Sequence, residues 1–191
     1  MVFGIDEVGR GCWAGPLVVA AVALDEEIPG LNDSKKLSKK QRSELRQHIV
    51  SNTNNIITIS SIKPHQVDQL GLSEAMRLAC QELFSSISKL NYDTVIIDGN
   101  VNYLEGERDT IAVVGADGSN QACMAASIIA KEFRDAYMTS LAEKYPEYGF
   151  EKHVGYGTQA HKEALEKHGP TDAHRLSFQP VRRIAEQWAD R

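Results

Sequence analysis

A chain of 191 residues, 42% hydrophobic and 25% charged, is sized for one soluble domain with its own core and needs no disulfide or structural metal. Its net charge of −5 argues against a protein that coats nucleic acid nonspecifically, and there is no run of about 18 apolar residues to span a membrane. The cysteines Cys12, Cys80 and Cys123 are odd in number and widely spaced, with no Cys-x-x-Cys; together with an N-terminus that lacks signal-peptide character, they predict free thiols and a cytoplasmic protein.

In chain order, residues 2–6 predict a first strand, and the continuous apolar run 17–24 a buried second one opened by Pro16. Ser38 with Gln41 three residues later predicts a capped helix running to about Val50. Residues 56–62 alternate loosely and predict a third strand; Pro64 suits the first turn of a short helix. Leu72, Met76, Ala79, Leu83, Ile87 and Leu90 recur at helical spacing. Residues 94–98 and 110–114 predict two more strands. A long helix from near Ser119 is expected to bury Ala122, Ala126, Ile129, Phe133, Tyr137 and Leu141 and to end at Tyr145-Pro146. Thr158 predicts the cap of a further helix closed by Gly169-Pro170, with one more helix after Thr171. Histidines 161 and 168 read as surface residues of that capped helix. The sum is an α/β fold with a mixed sheet flanked by helices, its strand order open.

Three acidic sites end predicted strands: Asp6-Glu7, Asp98 and Asp117. Strand ends are where ligands bind in such sheets. Singly, Asp98-Gly99-Asn100 also fits a plain turn, and Asp117-Gly118-Ser119 a turn with a helix cap. Together, four converging carboxylates would repel unless they held oxygen-seeking divalent cations such as Mg²⁺ or Mn²⁺. Four of the chain's negative charges would then be neutralised on metal loading. The basic run Lys35, Lys36, Lys39, Lys40 and Arg42 fits either a solvated helix start or a phosphate contact.

Gly4-Ile5-Asp6-Glu7-Val8-Gly9-Arg10-Gly11 with Ala14-Gly15-Pro16 resembles the opening of ribonuclease HII, the type 2 ribonuclease H. The resemblance continues through Asp33-Ser34-Lys35-Lys36-Leu37-Ser38, Ile97-Asp98-Gly99-Asn100 and Asp117 with Ala126 to Lys131, then Arg134-Asp135. Tyr145-Pro146-x-Tyr148-Gly149-Phe150, Gly155-Tyr156-Gly157-Thr158 and His174-Arg175-x-Ser177-Phe178 complete it, so it spans nearly the whole chain. It implies a ribonuclease H-like fold with a mixed five-stranded sheet flanked by helices. It further implies a single catalytic domain over 1–191, with a small helical C-terminal extension at about 145–191, and a monomer. The site it implies has Asp6, Glu7, Asp98 and Asp117 as catalytic metal ligands for Mg²⁺ or Mn²⁺. The implied substrates are RNA–DNA hybrids and duplex DNA containing ribonucleotides, cut by a two-metal-ion mechanism to 3′-hydroxyl and 5′-phosphate ends. Gly9, Arg10 and Gly11 would reach the 2′-hydroxyl, Tyr156 would pack on the following sugar, and Lys35 and Lys36 would lie near backbone phosphates. The chain departs from the family where Gly115-Ala116 and Val154 replace usual lysines and Trp13 replaces a smaller residue.

Overall fold

The computed structural model describes residues 1–189. Five strands, β1 (Val2–Val8), β2 (Leu17–Ala23), β3 (Ile56–Ile62), β4 (Thr94–Asp98) and β5 (Thr110–Val113), form one sheet in the order β3-β2-β1-β4-β5. β1 pairs antiparallel with β2 and parallel with β4, and β4 pairs parallel with β5, so the sheet is mixed. Seven α-helices are present among the described residues: α1 (Lys39–Ser51), α2 (Pro64–Leu70), α3 (Leu72–Ile87), α4 (Gln121–Lys144), α5 (Phe150–His153), α6 (Gln159–His168) and α7 (Gln179–Ala189).

The contacts group into two compact units. One comprises residues 1–8, 18–61 and 76–132; the other 9–17, 62–75 and 133 onward. In the first, every residue of β2 is buried, as its uninterrupted apolar run demands. Val18, Ala20 and Val22 pack against Ala125, Ala126 and Ile129 of α4 and against Ile49 of α1. Small residues let the helix come close: a Cβ at Gly4 of β1 would collide with the α4 backbone at Ala122 and Cys123. The capping box at α1 forms as the sequence predicts, with Ser38 N donating to Gln41 Oε1 at 3.0 Å and Gln41 N to Ser38 Oγ at 3.3 Å.

In the second unit, Met138, Tyr148, Phe150, Leu165, Val181 and Ile184 form the core. Thr158 caps α6 by accepting from His161 N, and Gly169 closes it, both as expected.

Four expectations change. β1 continues past Asp6 and Glu7 because Val8 still pairs with Val18 of β2, so the two acids lie within the strand rather than at its end. Leu90 falls beyond α3 and is 40% exposed. Phe133 and Tyr137 are each 41% exposed, and the buried face of α4 runs through Ala130, Arg134 and Met138 instead. Helical spacing pointed to the aromatics, but the face that turns inward carries an arginine whose guanidinium is satisfied by backbone carbonyls. His161, expected on the surface, is fully buried, whereas His168 is exposed.

Gly4→Ala is expected to lower the thermal midpoint, because overpacking against a helix backbone costs about 1–3 kcal/mol. Thermal denaturation followed by circular dichroism measures it, and an unchanged midpoint would mean that β1 and α4 separate without penalty.

Candidate metal centre

The register of the sheet assembles the acids. Gly4 pairs with Ile96 and Ile5 with Ile97, so one residue further on Asp6 comes alongside Asp98. Both then share the face of Gly4, which is the α4 face, since successive side chains alternate. Asp98 itself pairs with Val113 at the end of β5. The chain next turns through Gly115, in the left-handed region at φ 72°, into a single 3₁₀ turn, Ala116–Gly118. Asp98 Oδ1 accepts from Ala116 N at 2.7 Å and from Asp117 N at 3.4 Å. One carboxylate thereby sets the turn that presents another.

Oxygens of Asp6, Asp98 and Asp117 all lie within 4.8 Å of one another. Glu7 stands outside this group, because the pleat sends adjacent side chains to opposite faces. Its charge is nevertheless felt at Asp6 and at Cys80 of α3. Asp6 is 4% exposed. Burial, then the Glu7 charge, pushes its carboxyl from 3.8 up to about 8, against hydrogen bonds from Ser127 and the Glu7 backbone that favour the carboxylate. Three hard oxygen donors crowded this closely, one of them made reluctant to ionise by burial and like charge, form a donor set that suits a divalent cation.

The basic run divides. Lys39 and Lys40 begin α1 in solvent, while Lys35 and Lys36 occupy a 3₁₀ turn capped by Asp33. Lys35 Nζ lies 3.3 Å from Asp117 Oδ2. Burial disfavours its charge, but Asp33, Asp117 and Asp6 outweigh that and raise its pKa. Lys36 Nζ would sit 4.0 Å from a Cβ at Gly118, over the Asp117 turn. Arg42 steadies this segment by donating to Leu37 O at 2.9 Å, and Ser34 Oγ meets Ser127 Oγ of α4 at 2.7 Å.

The remaining predicted residues belong to the second unit. Gly9 adopts φ 88°, and a Cβ there would strike Arg134; Arg10 and Gly11 are exposed. Tyr156 is 45% exposed and its phenol hydrogen-bonds to the buried Cys12. The segments carrying these residues are joined by Trp13 N donating to Gly155 O at 2.8 Å. Two fully buried arginines complete the join. Arg134 donates to Pro16 O, Val154 O and Ala14 O at 2.9, 2.7 and 2.9 Å; Arg175 donates to Gly15 O through Nε and Nη2 and to Arg10 O at 3.1 Å. Trp13 fills the space beside Gly157, where a Cβ would meet its ring. Val154 holds φ 44°, an uncommon conformation for a β-branched residue.

Sequence reasoning missed His161, Arg134 and Cys12. Spacing could have found the first two: His161 precedes Leu165 by four residues and Arg134 precedes Met138 by four, so each lies on its helix's apolar side. Nothing local marked Cys12.

A mixed sheet in this order, flanked by helices and carrying three converging carboxylates, defines a ribonuclease H-like, divalent-metal-dependent phosphodiester hydrolase. The sequence model of one family, Ribonuclease HII, matches residues 3–181, and the chain belongs to that family, whose members cleave RNA in RNA–DNA hybrids. It is 45% identical to the ribonuclease HII of Shewanella loihica over 183 residues, covering 94% of this chain and 87% of that protein. The crystal structure of ribonuclease H2 from Pyrococcus horikoshii superposes with a TM-score of 0.78 at 25% identity, covering 100% of this chain and 99% of that one. The ribonuclease HII in a complex with PCNA from Archaeoglobus fulgidus gives 0.78 at 27% identity, covering 93% and 95%.

The raised pKa of Asp6 makes the metal-free fold pay for ionising it. Stability from this group is fully present below pH 3.8 and is lost as pH rises through about 8. Without divalent cation, Asp6→Asn is therefore expected to melt above the parent by a margin that widens across that range. Adding Mn²⁺ should raise the parent's midpoint more than the variant's. Differential scanning fluorimetry across pH, with and without EDTA, reads both, and a constant margin would contradict the electrostatic account.

Proposed function

We propose that the protein is an endonuclease that hydrolyses the RNA strand of RNA–DNA hybrids and cuts 5′ to ribonucleotides embedded in duplex DNA, leaving 3′-hydroxyl and 5′-phosphate ends. The observation that carries this reading is the meeting of Asp6, Asp98 and Asp117 oxygens within 4.8 Å at the end of a parallel strand pair. Bound there, Mg²⁺ or Mn²⁺ in a pair would supply hydroxide at neutral pH and charge stabilisation at the leaving oxygen.

The chain's own groups divide the remaining work. Asp6 and Asp117 offer carboxylate oxygens from a rigid strand and a capped turn, and Asp98 both ligates and sets the Asp117 turn. Glu7, next to Asp6 in β1, is the fourth carboxylate of this reading and contributes through its charge, which the Asp6 pKa already registers. Lys35 exchanges its contact with Asp117 for a substrate phosphate, and Lys36 supports the neighbouring one. The backbone of Gly9-Arg10-Gly11, exposed at Arg10 and Gly11, reads the ribose 2′-hydroxyl, the group that separates RNA from DNA. Tyr156, nearly half exposed on its loop, packs on the next sugar and so selects an RNA–DNA junction.

In this reading the enzyme serves ribonucleotide excision repair as a cytoplasmic monomer. None of its three cysteines forms a disulfide and all are buried, which fits a reducing compartment. Among the described residues, no helix is long and apolar enough to cross a membrane.

The test incubates purified protein with duplex DNA holding one ribonucleotide and with a continuous hybrid. Cleavage of both, abolished by EDTA, is expected. Asp117→Asn should lose on the order of a thousand-fold in turnover while keeping its fold; retained turnover would argue against metal ligation by Asp117. Tyr156→Ala should lose junction cleavage disproportionately with little change in melting temperature, and equal losses on both substrates would remove its reader role.

A further inference from the structure

Inside the second unit, two histidines form a directional hydrogen-bond chain, with a third stacked on it, that ends on the residue proposed to read the junction. Thr171 N donates to His174 Nδ1 at 3.0 Å, so that nitrogen is bare and the ring proton resides on Nε2. His174 Nε2 faces His161 Nε2 at 3.2 Å, which must then accept. His161 consequently carries its proton on Nδ1 and donates it to Tyr156 O at 2.9 Å. His153, stacked on His161 with ring centroids 4.5 Å apart, accepts from Gly155 N at 3.2 Å and donates to Tyr148 O at 2.8 Å. Tyr156 N donates in turn to His153 O. Every ring nitrogen in this cluster has a partner, and each tautomer is set by its neighbour.

We infer that His161 is a positioning residue: oriented by His174, it holds the Tyr156 carbonyl and thereby aims the exposed Tyr156 ring at the sugar beyond a ribonucleotide. The inference rests on the junction-reading role proposed for Tyr156. Burial keeps both rings neutral, lowering His161 to about 4 and His174 to about 3, so the chain stays intact at neutral pH. Phe150 and Trp13 pack on the His161 ring with centroids 5.5 and 5.7 Å away, which limits its reorientation. The side chain touches no reacting atom; it acts through Tyr156.

Two isosteric variants separate the two ends of the ring. In His161→Asn the amide occupies the Nδ1 position and can still donate to Tyr156 O; in His161→Gln it occupies the Nε2 position and loses that bond. The readout is the ratio of kcat/KM on single-ribonucleotide duplex to kcat/KM on continuous hybrid. His161→Gln is expected to lower that ratio by about tenfold or more, with His161→Asn staying within about threefold of the parent. Equal ratios in the two variants would overturn the inference, since a merely structural role would slow both substrates alike. Long-range ¹H–¹⁵N correlation spectra of the parent protein test it without any substitution: a protonated His161 Nδ1 supports it, and a protonated Nε2 overturns it even if a variant fails to fold. Tyr156→Ala is the control. An unchanged ratio there removes the reader role and this inference with it; a changed ratio there alongside an unchanged one in His161→Gln removes this inference alone.

Discussion

Crowding of like charge is the constraint on which the first unit is built. Two carboxylates about 4 Å apart repel by roughly 4 kcal/mol even at an effective dielectric near 20, and here three share a space 4.8 Å across. Nothing in the core favours that arrangement. It persists because the sheet register, the Asp98-capped turn and the Gly4 contact with α4 over-determine where each acid sits. Burial and the neighbouring charges push the Asp6 pKa up, which disfavours its ionisation, and the Lys35 ammonium is brought onto Asp117. A site that is electrostatically unfavourable when empty of cations is one whose binding free energy for them is large, since each ligand is oriented before the ion arrives.

The second unit solves a different problem, that of holding irregular backbone still. Its loops lack a ladder to satisfy their carbonyls, and unsatisfied carbonyls are costly when buried. Arg134 and Arg175 act as substitutes for that ladder, each spreading its fixed fork of donors over carbonyls from segments far apart in sequence. Burial lowers the Arg175 pKa to about 10, so the cation remains charged and its hydrogen bonds stay charge-assisted. The histidine chain extends the same logic with neutral donors. Exposed side chains such as Arg10 and Tyr156 are thus carried on backbone that is pinned from beneath.

Much of this was legible from residues in order. Local rules placed every strand and nearly every helix, because capping boxes, Pro at a first turn and Gly at a helix end act over a few residues. The four acids stood out because charge rarely interrupts an apolar run without a purpose. Where the reading erred, the cause was distance along the chain. Phe133 and Tyr137 were expected inside on helical spacing, whereas Arg134 takes the interior through carbonyls contributed by residues 14, 16 and 154. His161 was expected at the surface because its partners, Tyr156 and His174, belong to loops whose path only folding defines.

The sequence by itself determined which chemistry is possible: oxygen donors for a hard cation, a tyrosine between glycines, and thiols not joined in disulfides. It determined the elements too, since propensity and capping are local. Tertiary structure alone decided which acids meet, setting Asp6, Asp98 and Asp117 together while the pleat turned Glu7 aside. It also decided which polar side chains are buried, because a guanidinium or imidazole can leave water only where partners from distant segments converge to replace its hydrogen bonds.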